Sequence, residues 1–274
     1  MVKLMSSIVC CAIIPICSVF AQEPKDIIFN DVALKNGLLE AVEDNIKIDA
    51  NEDGEIDTNE ISRLTKLKLD NVEDLTILEY TPNLTKVNLN LFNFEDFPIV
   101  VSALAQLPNL TDLTIWGNTE DLGPLANLTN LTSLVIASNE ISDISALSNL
   151  VNLTNLTLMS TKVSEVSALS NLVNLIELDL YSNQISDISP LEELINLVEL
   201  NLYDNKISDV SALGSLTNLI SLNIANNQIK DISELINLPN LMTLNMLDNP
   251  IDVADPDNVD AFISVLERNT PSRN

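Results

Sequence analysis

The chain repeats itself with a period of 22 residues, and this repeat constrains the fold more than any other feature. Five copies follow one another without a gap from Asn130 to Pro239, and a sixth begins at Asn240 and stops at Pro250. Such self-similarity is typical of a solenoid, in which each unit buries its apolar side chains against its neighbours. The sequence therefore predicts one elongated repeat domain.

Each unit contains a Leu-x-Leu pair that predicts a β-strand, because the two-residue alternation places both leucines on one face. Degenerate copies come earlier, with Leu67-Lys68-Leu69, Val87-Asn88-Leu89 and Leu113-Thr114-Ile115, and stretches such as Asp96–Gln106 hold an insertion. In total the pattern predicts nine strands, parallel and on the concave side. The short period leaves little room for full helices, so short 3₁₀ or single-turn pieces are expected on the convex side.

An asparagine recurs five residues after the first leucine of the pair. Its side chain can satisfy backbone groups at the bend where the chain leaves the strand. Thr161 replaces it in one copy, which predicts a weaker contact there. The recurring asparagines are Asn118, Asn139, Asn183, Asn205, Asn227 and Asn249.

The full pattern, N-L-x-x-L-x-L-x-x-N-x-I-x-D-I-x-x-L, runs from about Leu64 to Pro250 and resembles the internalin-type leucine-rich repeat of bacteria. The resemblance implies an α/β repeat fold, a leucine-rich-repeat solenoid with a parallel concave sheet, a 3₁₀ or irregular convex side and helical caps. It also implies protein recognition, in some members as a surface adhesin. Residues Ile251–Asn274 show neither an immunoglobulin-like module nor a cell-wall sorting signal, so a surface-adhesin role is not expected from the resemblance alone.

Both ends of a solenoid need a cover. Residues 251–274 are expected to form the C-terminal cap and tail, with a helix over Asp257–Arg268 after Pro256. Residues 22–63 are expected to form the N-terminal cap, with an entering helix over Phe29–Ile48. The apolar sides predicted for the two helices are Val259, Phe262, Ile263 and Leu266, and Val32, Leu34, Leu38, Leu39 and Val42.

The segment Asp49–Glu60, DANEDGEIDTNE, matches the twelve-residue EF-hand loop at every diagnostic position. Gly54 occupies the sharp turn at position 6, and Ile56 is the apolar residue at position 8. Hard oxygen ligands at these spacings suit Ca²⁺. The alternative is an acidic turn that arose by chance in an Asp-rich chain. A single loop favours a structural role over a sensing one. The expected ligands are Asp49, Asn51, Asp53, the carbonyl of Glu55, Asp57 and Glu60.

One outward-facing column of the predicted sheet contains the single tryptophan and two of the three tyrosines. Neighbouring positions add acidic side chains, so this face is expected to bind a protein partner. The alternative is that the side chains only stack along the sheet and stiffen it. The column reads Asp70, Asn90, Trp116, Ala137, Met159, Tyr181, Tyr203, Ala225 and Leu247, and the binding residues expected within and beside it are Trp116, Met159, Tyr181, Tyr203, Glu177, Asp179, Glu199 and Asp204.

Charge and composition narrow the function classes. The formal net charge of −27 disfavours nucleic acid and anionic membrane surfaces as partners. The chain has no histidine, and its three cysteines all lie between Cys10 and Cys17. Glu177, Asp179 and Glu199 resemble paired glycosidase carboxylates, but an open sheet offers no pocket that desolvates a general acid. We therefore expect no enzymatic activity, with a carbohydrate-active enzyme as the remote alternative.

Residues 1–21 read as a secretory signal peptide, with Lys3, an apolar run from Ile8 to Val19 and a cleavage site after Ala21. A lipid anchor at Cys17 is a rival interpretation, which the large Ile16 disfavours. We expect a secreted, extracellular or periplasmic monomer without a membrane-inserted segment after signal removal. A periplasmic or envelope scaffold is the alternative function, and a subunit of an intracellular phosphatase is disfavoured by the signal.

Overall fold

The computed structural model describes residues 26–28, 35, 38, 42–43, 46–70, 76–91, 102–117, 121–137 and 140–269 of the 274-residue chain. The predicted signal peptide, the side chains of Asn118 and Asn139 and most of the predicted entering helix lie outside these ranges. None of the helices in the described part is long and apolar enough to cross a bilayer.

Nine parallel strands form one open sheet, and each strand pairs with the next along the chain. The predicted count and direction are confirmed. The uneven early copies keep the register, since Leu67 pairs with Val87 and Leu113 pairs with Leu134. The strands are β3 (Lys66–Asp70), β4 (Lys86–Leu91), β5 (Asp112–Gly117), β6 (Ser133–Ala137), β7 (Asn155–Met159), β8 (Glu177–Asp179), β9 (Glu199–Asn201), β10 (Ser221–Asn223) and β11 (Thr243–Asn245).

Short 3₁₀ helices line the convex side, as the repeat length predicts. The Asp of the I-x-D-I-S half accepts a hydrogen bond from a backbone N–H two residues later, as from Ser145 N to Asp143 Oδ1 at 2.8 Å. These 3₁₀ helices are Thr76–Tyr80, Gly123–Asn127, Ser145–Asn149, Ser167–Leu169, Ser189–Leu191, Ser211–Ser215 and Ser233–Asn237.

The core is one continuous stack of leucine, isoleucine and valine side chains that begins in the N-terminal cap at Leu38 and reaches Val265 in the last helix. Equivalent leucines of successive copies, such as Leu156, Leu178 and Leu200, are each at most 2% exposed. No unit encloses its own apolar side chains, so stability arises between neighbouring units.

The asparagine column forms the predicted ladder. Asn205 Nδ2 donates to the carbonyl oxygens of Leu180 at 3.0 Å and Leu202 at 3.1 Å, and its Oδ1 accepts from Ile185 N at 3.0 Å. Asn183, Asn227 and Asn249 make the same kinds of donation. One side chain thereby joins the backbone of two copies.

The N-terminal cap differs from the predicted helix over Phe29–Ile48. Lys35 and Leu38 are helical, but β1 (Val42–Glu43) and β2 (Ile46–Lys47) pair as an antiparallel hairpin. The prediction is therefore wrong in its last part. β-Branched side chains at 42, 46 and 48 favour strands, and the intervening Asp-Asn pair favours a tight turn. A short helix, α1 (Thr58–Ile61), follows the loop.

The C-terminal helix α2 (Pro256–Asn269) is confirmed, but its predicted apolar side is wrong. Asn258, Ala261 and Val265 are buried instead, because the helix packs against the last 3₁₀ helix. The buried Asn258 accepts from Ile232 N at 2.6 Å and satisfies the final copy's backbone. The predicted side chains are all exposed, at 38% for Val259, 39% for Phe262, 42% for Ile263 and 48% for Leu266.

Candidate functional site

The predicted aromatic column exists on the concave sheet. Strand pairing places Trp116 beside Asn90 on one side and Ala137 on the other, and Ala137 beside Met159. At the next two copies the rings of Tyr181 and Tyr203 stack, with centroids 5.3 Å apart and planes 11° from parallel. The two tyrosines follow β8 and β9 at equivalent positions of neighbouring copies, which brings their rings side by side.

The part of the column from Trp116 to Tyr203 stays accessible to solvent. Trp116 is 42% exposed and Tyr181 is 38% exposed, while Met159 and Tyr203 are half-buried. The stacking of Tyr181 on Tyr203 agrees with the stiffening alternative. Both rings also keep surface available to a partner.

Acidic side chains flank the tyrosines on the same face. Glu177 lies opposite Glu199 on the neighbouring strand, and Asp179 lies opposite Asn201. Adjacent strands are about 4.8 Å apart, so the two glutamates place like charges side by side. These residues line a shallow groove of about 370 Å³ together with polar side chains of β7 and β10.

The bonds within this groove are few. Asn155 Nδ2 donates to Glu177 Oε2 at 2.6 Å, and Tyr181 N donates to Asp179 Oδ1 at 2.9 Å. Glu177 and Glu199 are exposed and Asp179 is half-buried, so the groove is not a water-excluding pocket of the kind that a general acid uses. The geometry favours recognition over catalysis.

Asp204 lies apart from the other predicted binding residues. Its backbone has a φ of 58°, and it belongs to a column of left-handed residues at the edge of the sheet. Its carboxylate accepts from Ser182 Oγ at 2.7 Å and from Asn226 Nδ2 at 2.6 Å. These bonds link Asp204 to Ser182 and Asn226 of the neighbouring copies, an arrangement that we call the edge ladder. Its side chain therefore does not line the groove.

The predicted calcium loop has inward-turned polar groups. Gly54 has a φ of 83°, a conformation that favours glycine, and its N–H donates to Asp49 Oδ2 at 3.1 Å across the loop. Asp53 N donates to Asn51 Oδ1 at 3.0 Å, and Glu55 N donates to Asp53 Oδ1 at 2.8 Å. The turn at position 6 is thus the one that the motif requires.

Glu60 closes the loop from its far end. The residue is only 7% exposed, and its Oε1 accepts from Ala50 N at 2.9 Å. Its Oε2 accepts from Asp57 N at 3.2 Å, while Asp57 Oδ1 accepts from Glu60 N at 2.8 Å, which is a capping box. The last predicted ligand is therefore held against the loop backbone.

One buried atom of the loop lacks a partner. Asp49 is 9% exposed, and its Oδ1 has no hydrogen bond, whereas Oδ2 is held by Gly54. A buried carboxylate oxygen without a partner is costly, and a cation would satisfy it. Within the described ranges, however, no three acidic, cysteine or histidine side chains surround a common metal position. The oxygen donors of the loop are of the hard type that Ca²⁺ prefers.

A partner for the loop was missed by the sequence reasoning. Ile27 N donates to the carbonyl oxygen of Ile56 at 3.0 Å, and Asp26 and Asp57 form an antiparallel bridge. Ile56 is fully buried. The N-terminal segment therefore pairs with the apolar position of the single loop. A few residues carry no strand periodicity, so no sequence signal marks this contact.

Comparison with known proteins agrees with the geometry. Residues 129–172, 173–215 and 217–258 match the family model described as Leucine Rich repeats (2 copies). Comparison with curated protein sequences yields no match.

Solved structures provide closer relatives. An internalin (inlF) from Listeria monocytogenes is 33% identical with a TM-score of 0.70, and the match covers 87% of this chain and 74% of that one. Internalin C2 (inlC2) of the same species is 31% identical with a TM-score of 0.67, covering 81% of this chain and 97% of that one.

A more distant match extends to plants. The ectodomain of the Arabidopsis thaliana receptor kinase GASSHO1/SCHENGEN3, in complex with CASPARIAN STRIP INTEGRITY FACTOR 2, is 26% identical with a TM-score of 0.50. That match covers 61% of this chain and 21% of the receptor. With the repeat, the parallel sheet and the two Listeria proteins in agreement, the chain belongs to the internalin-type leucine-rich repeat family.

Proposed function

We propose that the chain is an exported recognition module that binds a protein partner on its concave sheet and has a calcium-stabilised N-terminal cap. Leucine-rich repeat modules typically act in protein–protein interaction. The observation that carries the finer proposal is the exposed aromatic column from Trp116 to Tyr203. Aromatic side chains left in water are enriched at binding hot spots. The plant ectodomain, solved with a bound factor, supports recognition by this kind of repeat.

The test replaces Trp116, Tyr181 and Tyr203 together by alanine. Partner capture from culture medium and host extracts, with Ca²⁺ present, is expected to fall at least about tenfold, because hot-spot truncations cost about 2 kcal/mol or more. Circular dichroism should show an intact fold, since none of the three side chains is fully buried.

A matched control replaces Val173, Ile195 and Ile220, which are also exposed apolar residues but lie outside the column. This control should capture the partner as the native protein does. Equal capture by the aromatic variant and the native protein would contradict binding at the concave column.

Export is the part of the proposal that rests on residues 1–21, which lie outside the described ranges. Cell fractionation compares this proposal with the envelope-scaffold alternative. Release into the medium or display on the cell surface supports an external partner, whereas retention in the envelope without a captured partner supports a scaffold.

Calcium binding is proposed at Asp49–Glu60. Support comes from the full ligand pattern, the glycine turn at Gly54 and the unpartnered buried oxygen of Asp49. The expected donors are the side chains of positions 1, 3, 5, 9 and 12 and the carbonyl of Glu55. Bound Ca²⁺ would supply charge neutralisation among these carboxylates and hold the cap against the first strand.

The test compares melting temperatures in Ca²⁺ and in EDTA. A site filled at about 100 times its Kd adds about 2.7 kcal/mol, which corresponds to a rise of about 5–10 °C for a domain of this size. Glu60→Gln and Asp53→Asn should both reduce that rise. Glu60→Gln is the more decisive variant, because position 12 supplies a bidentate carboxylate, whereas position 5 also accepts asparagine. An equal melting temperature of the native protein in Ca²⁺ and in EDTA would rule out the site.

A further inference from the structure

We propose that the partner presents a basic, extended segment to the acid–tyrosine patch, defined as Glu177, Asp179, Tyr181, Glu199 and Tyr203. This inference rests on the proposed function, in which the concave sheet binds a protein, and it adds the chemistry of that partner. In this part of the sheet, an exposed aromatic stack lies next to carboxylates that have no cationic partner.

The carboxylates of the patch lack cationic partners. Within the described ranges, no lysine or arginine forms an ion pair with Glu177, Asp179 or Glu199, whereas Lys162, for example, pairs with Glu140. Glu177 and Glu199 also stand opposite each other on adjacent strands, which destabilises the free sheet. A cation seated between them would remove that repulsion, so the arrangement favours a basic ligand.

The tyrosine stack favours the same kind of ligand. The exposed Tyr181 ring offers a π-face or edge beside Tyr203, and a guanidinium group binds such rings through cation–π attraction and planar stacking. The nearby carboxylate of Asp179 strengthens this contact. Its Oδ1 accepts from the N–H of Tyr181, which leaves Oδ2 to accept from the guanidinium group. Arginine satisfies the ring and the carboxylate together, whereas a purely apolar side chain would pack on the ring alone and an acidic one would be repelled by both.

The spacing of the patch indicates the form of the ligand. Residues two apart on a strand lie about 6.6 Å apart, so the glutamate row and the tyrosine row are about 13 Å apart. In an extended peptide, side chains about four residues apart span the same distance. One arginine over the tyrosines and a second arginine or lysine between the glutamates would therefore fit one extended segment.

Charge along the sheet restricts where such a segment binds. The exposed lysines Lys66, Lys68 and Lys86 lie on the first two strands of the sheet, away from the patch. The patch lies on β8 and β9, toward the other end. With a net charge of −27 on the whole chain, a basic partner is also attracted at long range. The sheet thus directs a basic segment to the patch.

The probe is a short labelled Ser/Thr peptide with two arginines about four residues apart. Its binding is measured by fluorescence anisotropy, and a comparison peptide carries citrulline, the neutral analogue, at both positions. The arginine peptide should bind at least about tenfold more tightly than the citrulline peptide. Equal binding of the two peptides would overturn the inference, and so would no binding of either.

Two charge-matched variants locate the contact. Glu177→Gln with Glu199→Gln should weaken the arginine peptide about tenfold. Glu192→Gln with Glu193→Gln removes the same charge from exposed positions outside the sheet and should leave binding unchanged. Equal weakening by both pairs would mean that only the overall charge of the protein attracts the peptide, which would contradict a specific patch.

The two proposals fail in different ways. If the natural partner is lost with the Trp116, Tyr181 and Tyr203 variant but is insensitive to Glu177→Gln with Glu199→Gln, the concave face binds a partner that is not basic. If the aromatic variant captures the partner normally, the proposed function fails before the chemistry of the partner is at issue.

Discussion

At the scale of single residues, the ladder asparagines connect the units most directly. Asn205 bonds to backbone groups on both sides of its bend and is only 8% exposed. A net contribution of about 1 kcal/mol is typical for each such hydrogen bond, and an unsatisfied buried amide costs more. Thr161 occupies the equivalent place with one hydroxyl, which donates to Asn183 Oδ1 and accepts from Val163 N at 3.4 Å. Among the described ladder positions, Thr161 therefore makes the fewest bonds to the backbone.

Thr161→Asn is expected to stabilise the protein by about 1 kcal/mol, because the amide would restore donation to the carbonyls of its own bend and of the preceding copy. Thermal unfolding of the two proteins measures the effect. The reverse change, Asn183→Thr, is the matched control and should lower the melting temperature. A lower melting temperature for Thr161→Asn would show that the hydroxyl is the better fit at this copy.

At the scale of elements, most of the described convex turns have a hydrogen-bonded aspartate at their start. The backbone N–H groups of Ser145, Ser189 and Ser233 donate to Asp143, Asp187 and Asp231, each at 2.8 Å. These bonds favour the charged form of each carboxylate and lower the pKa of Asp143, Asp187 and Asp231 below the ordinary value, with the serine hydroxyls adding to the effect.

The sign of the pH dependence follows from this direction. Because the pKa of each group is lower in the folded protein, its contribution to stability is present above the unfolded pKa of about 3.9 and is lost as pH falls through the folded pKa. Replacing Asp143, Asp187 and Asp231 by asparagine should therefore flatten the fall in melting temperature below about pH 4.

The control for this prediction replaces Glu165, Glu192 and Glu193 by glutamine. These exposed carboxylates accept no backbone hydrogen bond in the described structure, so their removal should leave the acid-side slope steeper than in the aspartate variant. Identical slopes in the two variants would mean that total charge, and not the turn bonds, governs acid stability.

At the scale of the whole molecule, the solenoid transmits stability only between neighbours. The N-terminal cap lies beside the first strands of the sheet, whereas α2 packs against the last 3₁₀ helix. A change that stabilises one end of the solenoid therefore has its largest effect on local stability near that end. The two caps protect opposite ends of one continuous core.

Calcium removal should consequently have a local effect on hydrogen exchange. In EDTA, exchange should accelerate at Ile27 N and at Lys86 N, which donates to Thr65 O in the first strand pair. Exchange at Glu199 N, which donates to Ile176 O toward the C-terminal end of the sheet, should change little. Equal acceleration at both places would show that the molecule unfolds as one cooperative unit.

Much of the fold was predictable because its signals are repeated. The Leu-x-Leu pair and the asparagine recur from copy to copy. This recurrence predicts the nine strands and the role of Asn205. The caps have no such repetition, and there the predictions were wrong in part. Val42 joins a hairpin, and Phe262 faces solvent while the small Ala261 faces the core. Which side of a cap is buried depends on the surface opposite it, and no local periodicity records that surface.

The candidate sites divide in the same way. The sequence by itself determined the period, the register, the aromatic column and the order of the loop's oxygen donors, because each is a matter of spacing along the chain. Only the tertiary structure decided that Tyr181 stacks on Tyr203, that Asp204 is held in the edge ladder, and that Ile27 pairs with Ile56. Those contacts join residues from different units, and their partners are chosen by three-dimensional packing and hydrogen bonding.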